Sequence, residues 1–146
     1  MSDFSESRRN QVRDRAGHRC EYCHLPTRGQ VATFPIDHIL PKSLDGSNSP
    51  DNLALACPHC NAMKAAQVEG IDPLTTLVTT MFNPRRDSWD EHFALTGSGI
   101  LSGVTPTGRA TIEMLHMNDA DMVELRLLLG ELGLFEEVRT GAAQNP

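Results

Sequence analysis

The sequence predicts an α+β fold in two parts: a small strand–strand–helix unit within residues 1–70 and an α+β extension over residues 71–146. Three observations carry that prediction. Two close cysteine pairs, Cys20-x-x-Cys23 and Cys57-x-x-Cys60, bracket a stretch that reads as strand, polar loop and return strand. Pro58 then opens a helical segment. In the second half, Met122, Val123, Leu125, Leu128, Leu129 and Leu132 recur at helical spacing.

Residues 5–16 read as a helix, with Ser5 as N-cap and Gly17 as its stop. Residues 31–39 read as a strand, in which Pro35 marks an edge or an irregularity. Residues 40–51 are rich in Pro, Gly, Ser and Asn and form a loop. Leu53-Ala54-Leu55 is the return strand, and the helix from Pro58 runs to about Gln67. Such a hairpin-and-helix unit has a thin core and needs help from outside it. Further on, Asp72 and Pro73 suit the cap and first position of a helix over 72–83. Residues 91–104 read as a hairpin around Gly97-Ser98-Gly99. Two helices follow, over 106–117 and 119–132, and residues 139–146 read as a frayed end. The apolar face of the last helix is a packed core or a self-association surface, so it permits a homodimer.

The four cysteines admit three readings. Disulfides need an oxidising compartment. The start Met1-Ser2-Asp3-Phe4-Ser5-Glu6 has neither the basic nor the apolar stretch of an export signal, so a cytoplasmic protein is expected. A redox dithiol uses one pair and leaves the other unexplained. A structural zinc site uses all four thiolates, and 33 residues separate the two pairs. Zinc is therefore the expectation. Cys20-Glu21-Tyr22-Cys23-His24 also fits a covalent haem attachment pattern, but that needs export and ignores Cys57 and Cys60. His24 and His59 could each replace a cysteine as ligand and read more simply as neighbours of the knuckles.

Net charge is −6, from 13 Lys+Arg against 19 Asp+Glu. Taken alone this argues against a nucleic-acid partner. The distribution says more: residues 1–70 hold 8 basic and 8 acidic side chains, and residues 71–146 hold 5 and 11. Between Arg8 and Arg28 there are six Arg against Asp14 and Glu21, or +4, so a phosphate-facing surface is expected in the first half. No apolar run approaches a membrane span.

The chemistry concentrates between the knuckles. Asp37 and His38 are adjacent on a strand and point to opposite faces, unless the strand twists or ends there. A carboxylate suits Mg²⁺ or Mn²⁺, and a neutral imidazole suits general-base work near pH 7. Asn61 offers an amide oxygen to the same ion. Asn52 sits where the loop returns, and its amide can bridge backbone groups that present His38. Lys64 lies one helical turn beyond Asn61 and could meet a phosphate. Arg85 and Arg86 touch a nucleic-acid backbone or offset the acidic tail. Trp89 and His92, three apart, read as an aromatic anchor with a satisfied histidine, or as a second contact to metal or phosphate. Singly, each of these residues has an ordinary structural explanation; their arrangement inside one clamped unit is the signal.

That arrangement resembles a known family. Asp37-His38-Ile39-x-Pro41-x-Ser43-x-x-Gly46, followed by Asn52-Leu53-x-Leu55-x-Cys57-x-x-Cys60-Asn61-x-x-Lys64, is similar to the HNH endonuclease motif with its zinc-binding cysteines. The resemblance covers about residues 15–68 and implies a ββα-metal fold. It implies that His38 is the general base, Asn52 the central asparagine, Asn61 the third motif residue and Asp37 the metal-binding carboxylate. The third position is often His in the family and is Asn here, as in a common subtype. The family implies DNA as substrate, with 5′-phosphate and 3′-hydroxyl products. The alternative function is a catalytically silent, zinc-stabilised module that binds nucleic acid or protein. A weaker resemblance links Phe82-Asn83-Pro84-Arg85-Arg86, Trp89-x-x-His92-Phe93 and Leu101-x-Gly103-x-Thr105-Pro106-x-Gly108-Arg109-Ala110-Thr111 to the downstream region of some small bacterial HNH proteins; it assigns no roles.

Overall fold

The computed structural model describes residues 4–138. The frayed end expected over 139–146 lies outside the described residues. Helix α1 spans Glu6–Arg15, and the Ser5 side chain accepts from the Arg8 N–H as its N-cap. Gly17 follows its end with a φ of 69°, where a Cβ would cost strain. Only Val12 of α1 is fully inside, so the helix is held by its flanks rather than by an apolar stripe. Arg15 donates to the carbonyls of Pro50 (2.9 Å) and Leu53 (2.6 Å), and Arg8 to that of Asn48 (3.1 Å).

Strands β1 (Ile36–His38) and β2 (Leu53–Leu55) pair antiparallel, with His38 opposite Leu53 and Asp37 opposite Ala54. The strand expected from residue 31 begins only at Ile36. Pro35 has no N–H for a ladder, although its carbonyl still accepts from Ala56. Helix α2 spans Pro58–Lys64, with Cys57 as N-cap. It stops three residues short of the expected Gln67, because Ala65 turns to a φ of 48° and ends the ladder.

The helix expected over 72–83 does not form. Strands β3 (Glu69–Ile71) and β4 (Val78–Thr80) make a hairpin there instead. The Asp72 carboxylate accepts from the Leu74 N–H and the Thr75 hydroxyl, so it caps a turn rather than a helix. Val78, Thr79 and Thr80 are β-branched and favour the pleated chain. A short helix α3 (Trp89–His92) leads into the expected hairpin of β5 (Phe93–Leu95) and β6 (Leu101–Gly103). Helices α4 (Pro106–Met114) and α5 (Ala120–Glu131) follow, with a 3-10 turn over Glu136–Val138 after them. Gly108 lets α4 lie against α3 and β6, since a Cβ there would stand 2.1 Å from the His92 carbonyl oxygen and 3.3 Å from the Gly103 Cα.

Among the described residues the sheets are three separate two-stranded ladders, too small to carry the fold alone. What joins them is one core. Val12, Tyr22, Leu53 and Leu55 belong to the same buried cluster as Phe82, Phe93, Leu115, Met117 and Leu129. Each such side chain contributes on the order of 1.5–3 kcal/mol by leaving water. Along α5 the apolar stripe divides: Met122 and Leu129 are buried, while Leu128 and Leu132 are exposed. The position that fills the interior beside them is Arg126, fully buried.

Candidate functional site

The two cysteine pairs meet at the base of the β1–β2 hairpin. Cys20 and Cys23 lie in the turn after α1, and Cys57 and Cys60 at the start of α2. All four are buried, and their sulfurs lie within 4.8 Å of one another. The Cys23 and Cys57 sulfurs are 3.7 Å apart. A tetrahedral zinc with bonds near 2.3 Å needs sulfur–sulfur edges of about 3.8 Å, so the cluster fits that ion. Crowding of the sulfurs holds the Cys57 thiol well below its usual range and pushes those of Cys23 and Cys60 well up. Bringing all four to the thiolate form therefore calls for a cation among them.

The knuckles position Tyr22, and Tyr22 positions Asp37. The buried tyrosine hydroxyl donates to Asp37 Oδ2 at 2.7 Å. Burial and the Asp37 carboxylate raise the tyrosine pKa well above its usual value, so it remains a donor. Asp37 is itself 5% exposed and faces inward, as the alternation along β1 requires. Burial pushes its carboxyl pKa up, while Lys64 and the tyrosine bond pull it back. Lys64 Nζ lies 3.2 Å from Asp37 Oδ2 and donates to the carbonyls of His38 (3.0 Å) and Ile39 (3.1 Å). The phosphate contact expected of Lys64 is thus corrected. Its side chain is 2% exposed, because its face of α2 points under β1. These oxygens form the donor set of a hard cation; in this arrangement the cation they hold is the chain's own ammonium.

His38 faces the other way and is half-buried. Its Nε2 lies 2.7 Å from Asn48 Oδ1, and the Phe4 ring sits 5.7 Å from its own. With Asn48 accepting, Nε2 carries the hydrogen and Nδ1 keeps its lone pair. Asn52 braces the loop between them. Its Oδ1 accepts from the Leu40 N–H (2.8 Å), and its Nδ2 donates to the carbonyls of Leu40 (3.0 Å) and Ser47 (2.9 Å). Gly46 is required at this crossing, since a Cβ would stand 1.7 Å from the Leu40 carbonyl oxygen. Asn61 sits half-buried on α2, four residues past the N-cap Cys57.

Residues 20–67 match the HNH endonuclease family. Members of that family are nucleases that act on DNA. The HNH segment contains all four cysteines together with Asp37, His38, Asn52 and Asn61. No curated protein and no solved structure gave a match to the chain.

Beside the HNH loop lies a cleft of about 640 Å³, lined by Ile39, Leu40, Asn52 and Lys64 on one wall and by Phe82, Arg85 and Arg86 on the other. Arg86 is exposed. Arg85 is half-buried and ion-paired with Glu21, and its pKa is lowered to about 10 by burial and then by Arg15. Of the arginines expected to face phosphate in the first half, Arg8 and Arg15 turn to backbone carbonyls and Arg19 pairs with Glu137 at 2.9 Å. His92 Nδ1 lies 2.6 Å from the Thr105 hydroxyl, a satisfied histidine. Trp89 stacks on His24 at 3.7 Å and donates to the Tyr22 carbonyl, an anchor on the first knuckle.

Sequence reasoning missed Tyr22, Asn48, Glu21 and Arg126. Tyr22 is the chain's one tyrosine, set inside the first cysteine pair, and that placement was the available signal. Nothing local marks Asn48 or Arg126. Among the described residues, no helix is long and apolar enough to cross a membrane.

Proposed function

We propose that the protein is a metal-dependent endonuclease that hydrolyses DNA phosphodiester bonds, with His38 as general base. The observation that carries this reading is the HNH match over residues 20–67, within which Asn52 braces the loop beside His38 through three hydrogen bonds. The Nδ1 lone pair of His38 takes a proton from water, which attacks the scissile phosphorus in line. Nε2, tied to Asn48, holds the ring orientation while the charge on the imidazole changes. Asp37 and Asn61 are the oxygen donors that would hold Mg²⁺ or Mn²⁺, and a bound ion would supply charge stabilisation for the leaving 3′ oxygen. Such an ion competes with the Lys64 ammonium for Asp37. Zinc on the four cysteines is structural: it ties the turn after α1 to the start of α2. DNA enters along the cleft that Arg85 and Arg86 line on its far wall.

One observation favours a second reading. The Asp37 carboxylate is already neutralised by Lys64, which suits a silent module that binds nucleic acid or protein without cutting it. Supercoiled plasmid incubated with Mg²⁺ and purified protein separates the two. Cleavage by wild type and its loss in His38→Ala, with zinc content and fold unchanged, supports the enzyme. Equal cutting by the two proteins would show that His38 is not the base. No cutting by either, with DNA still bound, selects the silent module.

A further inference from the structure

The His38 imidazole is held from outside the HNH segment, by helix α1. Arg8 and Arg15 stand seven residues apart on that helix, so they project from one face. Both reach the returning arm of the β1–β2 loop. Arg8 Nη1 donates to the Asn48 carbonyl (3.1 Å), and Arg15 to the carbonyls of Pro50 (2.9 Å) and Leu53 (2.6 Å). Hydrogen bonds from a charged donor are the stronger kind. The residue that Arg8 grips by its backbone is the one whose side chain meets His38 Nε2, at 2.7 Å. Asn48 is exposed, so packing does little to fix its amide, and the bond to its carbonyl matters the more.

A second contact comes from the start of the same helix. The Phe4 ring lies 5.7 Å from the His38 ring and is tilted by 34° to it, within the range of an aromatic pair. Phe4 directly precedes the N-cap Ser5, whose hydroxyl accepts from the Arg8 N–H at 3.1 Å. The cap therefore ties Phe4 and Arg8 into one piece. His38 is bracketed by Asn48 at Nε2 and by Phe4 beside the ring, and neither contact takes Nδ1. All of α1 lies before the 20–67 match, so this bracket is not part of the matched HNH segment.

We propose that the first turns of α1 belong to the catalytic apparatus: Arg8, acting through Asn48, and Phe4 are positioning residues that hold the His38 ring with Nδ1 left for the attacking water. The inference rests on reading His38 as the base. It also gives Arg8 a task other than the phosphate contact that its place in an arginine-rich stretch suggests.

The test uses the full chain with zinc bound. Plasmid cleavage with Mg²⁺ is compared for wild type, Arg8→Met, Arg8→Lys, Phe4→Ala and Arg13→Met, each checked for unchanged circular dichroism. Arg13 bonds Asn10 within α1 at 3.2 Å, so Arg13→Met removes the same charge from the same helix without touching the loop. Misplacing a reacting group by 1 Å can cost about 100-fold, so Arg8→Met and Phe4→Ala should each lower kcat at least about tenfold with KM within about twofold. Arg8→Lys should fall between, and Arg13→Met should cut as wild type does. A phosphate-binding Arg8 would instead give a raised KM and a salt slope smaller by about 1, and that result overturns the proposal. Wild-type kcat in Arg8→Met, or an equal loss in Arg13→Met, also overturns it; wild-type kcat in Phe4→Ala alone removes Phe4 from it.

A second readout does not depend on cleavage. A ¹⁵N–¹H correlation of the histidine rings follows the Nε2–H of His38, whose absence in wild type would overturn the Asn48 bond and the proposal with it. Loosening that bond should speed exchange of this proton with water at least about tenfold in Arg8→Met and Phe4→Ala, and not in Arg13→Met. If wild type cuts no DNA, the base reading falls and the ring signal still decides: faster exchange in Arg8→Met upholds the hold of α1 on the imidazole, and an unmoved signal overturns it. If Arg8→Met does not fold, Arg8→Lys and Phe4→Ala decide by the same two readouts.

Discussion

Replacing Lys64 by Met tests whether the centre of the HNH segment is built on a buried ion pair. The side chains of Lys64 and Asp37 are 3% and 6% exposed, so neither charge has water to fall back on. Lys64→Met keeps most of the volume and leaves the Asp37 carboxylate with the Tyr22 hydroxyl as its remaining partner. Removing one member of a buried pair typically costs about 3–5 kcal/mol. In a chain of this size each kcal/mol lowers the melting temperature by about 2–4 °C, so a drop of about 10 °C is expected. The sign with pH follows from the burial that raises the Asp37 carboxyl. A group with a raised folded pKa contributes its stability fully below the unfolded value near 3.9 and loses it as pH rises through the folded one. Without Lys64 the folded value rises further, so the deficit of Lys64→Met should be largest near neutrality and shrink as pH falls through the raised folded value. Neutralising the carboxylate as well, in Asp37→Asn/Lys64→Met, should recover about 1–3 kcal/mol of the loss. The measurement is thermal unfolding by circular dichroism in excess zinc. A Lys64→Met protein within about 1 kcal/mol of wild type at pH 7, or a double variant no better than the single one, would refute the buried-pair account.

Three further outcomes are expected. Asn52→Ala removes three hydrogen bonds from the loop beside His38 and should destabilise by about 2–3 kcal/mol, read by urea unfolding. If His38 is the base, the same variant should lose kcat at least about tenfold with little change in KM. Asp72 accepts from the Arg109 guanidinium fork at 2.9 Å through both oxygens, which holds its carboxyl well below the usual range. Its contribution is present above the unfolded pKa near 3.9 and lost as pH falls further, so Asp72→Asn should flatten the acid limb of a stability–pH curve below about pH 4. Stepwise chelation should first stop plasmid cleavage reversibly, with Mg²⁺ restoring it. Harsher chelation that strips zinc should unfold β1–β2 and α2, and Mg²⁺ should not rescue that loss.

How much of this was legible in the sequence varies with the range over which the determining contact acts. Helix α1, the Leu53–Leu55 strand, the 91–104 hairpin and the last two helices all follow from local caps, turns and periodicity. The four cysteines announced a cluster through spacing alone. The error over 72–83 has a local look and a long-range cause. Asp72-Pro73 is a fair helix start, but Asp72 is drawn into a turn and onto Arg109, 37 residues away. Lys64 was misread for a similar reason. Its spacing from Asn61 was right, and the face they share lies against β1 rather than solvent. In α5 the apolar positions were plain, but a stripe cannot tell which of its members faces inward when a buried arginine stands among them. The opposite facing of Asp37 and His38 did follow from strand alternation, and it is what separates the buried carboxylate from the half-buried imidazole.

The second half of the chain bears on the first at the knuckles more than at the proposed catalytic face. Glu21, inside the first cysteine pair, pairs with Arg85 and also accepts from the Leu55 N–H at 2.8 Å. Trp89 holds the Tyr22 carbonyl, and His24 and Arg19 both bond Glu137. Burial pushes the Glu137 carboxyl up, but His24 and Arg19 outweigh it and hold it below its ordinary value. His59 ties the second knuckle to the turn before α5. Glu21, Tyr22 and His59, which lie between the paired cysteines, each bond outside their own knuckle and reach the extension directly. A hairpin and a seven-residue helix bury too little to hold an imidazole in register. Zinc on the four cysteines would fix the ends of that unit, and the extension holds the cysteine-bearing turns. The registry of His38 then depends on contacts made more than 60 residues away, through Tyr22, Asp37 and Lys64, none of which needs to touch DNA.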